Sequence, residues 1–291
     1  MWSQSIMLLS LASVALATPA PLHKRGSGKA GISWPVQEGS AIPVELFFGS
    51  GSSLTWWWDW NMNYGSSMFP DGVPTMSAEF VPMYYDESTI SSGATLQAGF
   101  SMAMGYNEPD QAVSGVSIAI PATAAAANWP AIRSAVLAAN PSAKLISPTP
   151  AGDVDWLVEF FNALCPGQQS TQWSNCADAP DIIGMHAYAT DFDGLTSKVE
   201  SFYSTFGRPI IVSEFAMANF AGFEPTQQEV YDFMGQTTLW FDQQDYVINY
   251  AWFGAVRDSA NLHDVPETNR LMAADGTITP LGQQYINGGH D

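Results

Sequence analysis

The chain has 291 residues, of which 28 are acidic and 9 are Lys or Arg, for a formal net charge of −19 at pH 7. That balance excludes a simple nucleic-acid binder, which needs a basic face, and argues against binding to anionic membranes. The hydrophobic fraction of 46% is too high for a disordered acidic chain, and the length suits either one large core or two smaller ones.

The first element is an apolar run, Ile6–Ala17, ending in the small-x-small pattern Ala15-Leu16-Ala17. Residues 1–17 therefore read as a secretory signal peptide. The run is too short to cross a bilayer, which takes about 20 residues. Residues 18–25 end in the dibasic pair Lys24-Arg25 and read as a pro-segment, leaving 26–291 as one domain. The polar C-terminus carries no signal for a lipid anchor. The expectation is a secreted monomer, extracellular or associated with a cell wall, without a membrane anchor. Outside the cytosol, Cys165 and Cys176 are expected to form one disulfide; further ligands at zinc spacing are missing.

Eight short apolar runs follow in order: Ala30–Trp34, Leu54–Trp58, Phe80–Tyr84, Gly99–Met104, Lys144–Ser147, Asp181–Met185, Pro209–Val212 and Val247–Phe253. Continuous rather than alternating runs mark strands buried on both faces. Helical patterns lie between the later runs, at Ala122–Ala139, Val154–Leu164, Leu195–Phe206, Thr226–Phe241 and Pro280–Ile286. The early connections are shorter: Pro43–Gly49 as a first helix, then Pro74–Glu79 and Glu87–Leu96 as short or irregular ones. Eight strand-and-helix units predict an α/β fold, a single-domain (β/α)8 TIM barrel. An open doubly wound sheet would bring a Gly-rich phosphate loop after the first strand, where Trp34-Pro35-Val36 stands instead.

In such a barrel the working groups sit at the C-terminal ends of the strands. After the fourth run comes Gly105-Tyr106-Asn107-Glu108-Pro109-Asp110, and after the seventh Ser213-Glu214-Phe215. A glutamate at the lip of a buried strand leaves water at a cost, so two of them point to chemistry. Glycosidic cleavage needs such a pair, one carboxyl to protonate the departing oxygen and one to attack or to activate water. Trp34, Trp56, Trp57, Trp58, Trp60 and Trp252 stand at or near strand ends, where indoles match the C–H faces of sugar rings. Alternation sends some of them into the core, and Trp34 and Trp252 are the favoured sugar platforms. His186 and Tyr188, after the sixth strand, are expected to face the cleft; His23, His263 and His290 have no assigned role. Asp153 and Asp155 read as a helix start, and Asp191 with Asp193 is weak evidence for calcium. A nucleophile elbow and a zinc-protease motif are both missing.

These pieces resemble glycoside hydrolase family 128 of clan A, the fungal and bacterial β-1,3-glucanases. The resemblance rests on Thr55–Trp60, Phe80–Met83, Gly105–Asp110, Asp181–Tyr188, Pro209–Ala216 and Tyr250–Gly254, in that order. It implies a retaining mechanism on β-glucan with Glu108 as acid/base, its pKa raised, and Glu214 as ionised nucleophile. It also implies Asn107 on the sugar 2-hydroxyl, and neither metal nor organic cofactor. Trp58, Asp59 and Trp60 fall in the matching segment and join the expected substrate-binding residues. The chain departs from the family at Asp59, often Asn there, and at Tyr85-Asp86, often Trp-Gly. The alternative is a β-1,3-gluco-oligosaccharide-binding protein on the same fold.

Overall fold

The computed structural model describes residues 28–39, 43–69, 76–168 and 173–290. The segments read as signal peptide and pro-segment lie outside them, as does part of Pro74–Glu79. Among the described residues no helix is long and apolar enough to cross a membrane.

Each apolar run holds a strand: β1 Ala30–Ser33, β2 Trp56–Trp58, β3 Glu79–Phe80, β4 Met102–Met104, β5 Lys144–Ile146, β6 Ile183–Ala189, β7 Ile210–Met217 and β8 Val247–Trp252. The helices are α1 Val36–Gly39, α2 Gly65–Met68, α3 Glu87–Ser91, α4 Ala122–Ala139, α5 Val154–Leu164, α6 Phe192–Phe206, α7 Gln227–Gln243 and α8 Pro280–Ile286. Local chemistry sets the ends of the longer ones. Asp153 and Asp191 accept backbone N–H bonds as N-caps of α5 and α6. Thr226 and Glu229 form a capping box at α7, and Gly207 ends α6 at φ 60°. The first three helices are four or five residues each, and Pro43–Gly49 makes only a 3-10 turn, Val44–Phe48.

All the strand pairs are parallel. One sheet runs β3-β2-β1-β8-β7-β6, and β4 pairs with β5. Two single bridges, Met83 with Met104 and Ile146 with Ile182, join these pieces on both sides and complete the ring. The chain is thus an eight-stranded parallel barrel wrapped by helices.

Side chains of opposite parity build two apolar layers. Trp56, Trp58, Val81, Met83, Met104, Ile146, Ile182, Ile211 and Ala251 fill the barrel. Ile32, Trp57, Phe80, Ala103, Leu145, Ile183, Val212 and Trp252 face the helices. The interior takes Trp56 because β1 offers no side chain opposite it: a Cβ on Gly31 would lie 2.3 Å from the indole. Cys165, at the end of α5, is bonded to Cys176. Gly31→Ala should therefore overpack the barrel and cost roughly 1–3 kcal/mol, read as a lower midpoint in urea unfolding; an unchanged midpoint would show that Trp56 yields freely.

Candidate active site

A bulge in β7 aims Glu214. The β6–β7 register passes from Met185↔Val212 to His186↔Glu214, leaving Ser213 as an extra residue. Against β8 it passes from Val212↔Tyr250 to Phe215↔Trp252, again with one residue too many. Ile211 points inward and Val212 outward, so strict alternation would turn Glu214 toward the helices. The insertion at Ser213 brings it inward and returns Phe215 to the outer layer. Glu108 arrives by another device. It has φ 42°, in the left-handed region that a non-glycine residue rarely adopts, and its N–H donates to the Thr149 carbonyl at 2.8 Å.

The two glutamates meet over His186. One oxygen of each and one ring nitrogen of His186 all lie within 4.8 Å of one another. Tyr188 Oη donates to Glu214 at 2.6 Å and Trp60 Nε1 donates to it at 3.0 Å. Gln111 Nε2 donates to Glu108 at 2.8 Å. His186 Nδ1 lies 2.7 Å from Glu108 and 3.4 Å from Glu214. Among the described residues this is the group whose donor atoms could ring a cation. The 2.7 Å contact suits a hydrogen bond, since ligands about 2.1 Å from a tetrahedral zinc stand roughly 3.4 Å apart.

Protonation at the pair departs from the sequence expectation. Burial pushes the Glu108 carboxyl up, but the hydrogen bond and charge of His186, with help from Gln111, hold it below the usual range. Burial and the Glu108 charge push Glu214 above that range, against His186, Tyr188 and Trp60. Burial opposes a charged His186, yet both glutamates raise its pKa. Glu108, expected to be the raised member, is thus the lowered one, because the imidazole bonds to it rather than to Glu214.

Around the pair lies a cleft of about 700 Å³. Of the expected residues, Asp59, Trp60, Asn107, Glu108, Tyr188 and Glu214 line it. Asn107 is buried with its Oδ1 unpartnered. Trp34, Trp58 and Trp252 do not line it and are wholly buried. Trp252 points outward from β8 against Phe215 and Phe233 and bonds the Asn269 carbonyl. Trp34 packs on Phe47 behind the barrel wall. Trp58 fills the barrel below Trp60, bonded to the Ser213 carbonyl. His186 is likewise closed off beneath the carboxylates. The open aromatic surface comes instead from Trp60, Tyr85, Phe220 and Phe253. Strand parity contained the signal for Phe253, the inward neighbour of an outward Trp252. His263, unassigned from sequence, lines the far rim beside Asp264, both at positive φ.

Residues 2–285 match the glycosyl hydrolase catalytic core family. A solved exo-β-1,3-glucanase of glycoside hydrolase family 128, subgroup V, from Cryptococcus neoformans is 40% identical, with TM-score 0.79, covering 90% of this chain and 100% of that one. The chain belongs to glycoside hydrolase family 128. It shares its fold with a subgroup VII oligosaccharide-binding protein of the family, also from Cryptococcus neoformans, at 22% identity, TM-score 0.66, and 91% and 98% coverage. Alkali-sensitive linkage protein 1 of Schizosaccharomyces pombe is 26% identical over 268 residues, covering 90% of this chain but 45% of that protein, so the chain spans less than half its length.

Asp59 marks this family 128 glycoside hydrolase with a measurable pH signature. Burial pushes its carboxyl up to about 7. A raised folded-state pKa contributes stability that is full below the unfolded value near 4 and is lost as pH rises through about 7. Asp59→Asn should therefore raise the melting temperature relative to the parent at pH 8 and change it least at pH 5. An equal shift at both pH values would contradict the assignment.

Proposed function

We propose that the chain is a secreted, retaining glycoside hydrolase that cuts β-1,3-glucan by double displacement, with Glu214 as nucleophile and Glu108 as acid/base. The observation that carries this is the close approach of the carboxylates, one oxygen of Glu108 lying within 4.8 Å of one oxygen of Glu214. Retaining pairs stand about 5–5.5 Å apart, while inverting pairs need about 6.5–9.5 Å to admit a water.

In the first step Glu214 forms a bond to the anomeric carbon. The glycosidic oxygen leaves with the Glu108 proton. In the second, Glu108 takes a proton from water as its oxygen replaces Glu214 on the sugar. Glu214 keeps two donors, Tyr188 and Trp60, that orient it and stabilise its charge. Glu108 must gain a proton when sugar arrives. Burial is the largest influence on it, and a sugar that displaces the remaining cleft water strengthens that influence. The aromatic lining offers C–H surfaces to the rings, and Asn107, the expected partner of the sugar 2-hydroxyl, lines the same cleft. The β-1,3 linkage is carried over from the glucanase relative, and the secreted setting from the reading of residues 1–17 as a signal peptide.

A second reading is favoured by one specific observation: His186 Nδ1 lies 2.7 Å from Glu108, a contact that favours the ionised carboxylate. A cleft that kept it so would grip gluco-oligosaccharides without cutting them, as a binding protein.

Incubation with laminarin, cellulose, xylan and mannan, read by product chromatography, should release glucose or oligosaccharides from laminarin; release from xylan or mannan alone would overturn the substrate. Glu214→Ala should abolish turnover of every substrate. Glu108→Ala should lose about 100-fold or more on laminarin. It should keep glycosylation by aryl glucosides with good leaving groups, with turnover rescued by azide. Equal loss on both substrate types, without rescue, would contradict the role assignment.

A further inference from the structure

Backbone strain in this chain gathers at the cleft. Among the described residues six other than glycine have positive φ, and five of them, Trp60, Glu108, Phe220, His263 and Asp264, line it. Such positions cost energy and persist where the surroundings impose them, often around ligands. Trp60 and Glu108 belong to the carboxylate pair and its donors. Phe220, at φ 56° in the loop after β7, does not. It carries a second cost, because at 51% exposure it is the most exposed aromatic side chain among the described residues. The loop that presents it is fixed at its base. The Ala218 N–H donates to the Ala189 carbonyl, at the end of β6, at 3.0 Å. Asn219 Oδ1 accepts the N–H groups of Ala221 at 2.9 Å and Phe223 at 3.3 Å, and Phe223 packs against the core.

The ring contacts place Phe220 relative to Glu214. Trp60 and Tyr188 donate to the two oxygens of Glu214. Phe253 lies between them, its ring centroid 6.2 Å from each. Phe220 meets Tyr188 in a T-shaped contact at 4.9 Å, which leaves at least one face of Phe220 clear of Tyr188. Trp60, Phe253, Tyr188 and Phe220 thus stand in series, with Phe220 one ring beyond the group that holds the nucleophile. We propose that Phe220 is the platform of a further subsite: its face takes the glucosyl unit next to the one that Glu214 attacks and adds affinity for the chain beyond the reacting bond. This rests on the sugar-cleft reading given above. The attacked unit must lie against Glu214, and so among Trp60, Phe253 and Tyr188; a ring one place further along meets a neighbouring unit. The chemistry suits glucose. A β-glucosyl ring carries its substituents equatorially, so both of its faces present axial C–H bonds. Phe220 offers a flat apolar face with no polar tip, which asks for no hydroxyl in return. Covering it removes exposed apolar surface from water, and a loop already fixed loses little freedom when the sugar binds.

The test is calorimetry of laminaripentaose binding to the Glu214→Gln protein, with and without Phe220→Leu. That substitution keeps an apolar side chain but loses the flat face, and should weaken binding roughly fivefold to tenfold. Phe220→Trp should keep the parent affinity or exceed it. With Glu214 intact, 1-deoxynojirimycin, a single ring of glucose size, reads the attacked position alone; its affinity should stay within about twofold when Phe220→Leu is introduced. Unchanged laminaripentaose affinity in Phe220→Leu would overturn the proposal. So would an equal loss for 1-deoxynojirimycin, which would show the ring acting through Tyr188 on Glu214. If Phe220→Leu fails to fold, Phe220→Gly, which relieves the positive φ, serves in its place. Cellopentaose, xylopentaose and mannopentaose are run in parallel. If one of these binds and laminaripentaose does not, the β-1,3 reading fails, and the same comparison on that sugar decides the role of Phe220. A cleft that binds none of the four overturns both.

Discussion

Two carboxylates with oxygens within 4.8 Å of each other, removed from most of their water, repel one another and resist ionisation. The rest of the site answers that constraint. Four donors converge on the pair: Tyr188 and Trp60 on Glu214, Gln111 and His186 on Glu108. They come from β6 and from the segments after β2 and β4, so a closed barrel is what brings them together. His186 is the one base among them, and its position nearer Glu108 decides which carboxyl sits low and which sits high.

The backbone bears the cost of aiming these groups. A bulge at Ser213 breaks the alternation of β7 so that Glu214 can face inward. Glu108 and Trp60, which contact the same cleft, are held at φ 42° and 62°. Irregular backbone of this kind persists when the surroundings over-determine it. Here they do so through a tryptophan-filled barrel below and a helix-facing apolar layer outside.

Much of this was legible in the sequence. The eight apolar runs located the strands, because parallel strands buried on both faces need continuous rather than alternating apolar residues. The later helices carried their own caps, at Asp153, Asp191 and Thr226. The early ones did not show as periodic patterns because α1 to α3 are too short to have a period. The two glutamates were visible as acids at strand ends. The aromatic cleft was misread for a physical reason. Indole content says nothing about parity, and Trp34 and Trp252 fall on the helix-facing side. The open surface is made by loop residues such as Phe220, whose position no strand pattern sets. The order of the two pKa values was also out of reach, since it turns on a difference of less than an ångström in where His186 Nδ1 lies.

The central claim is that the close carboxylate pair performs direct attack by Glu214 with a covalent intermediate. Proton NMR of laminari-oligosaccharide hydrolysis at early times, before mutarotation, tests it most directly. The new reducing end should appear first as the β-anomer, the stereochemistry of the bond that was cut. First appearance of the α-anomer would place a water between the carboxylates and contradict the account.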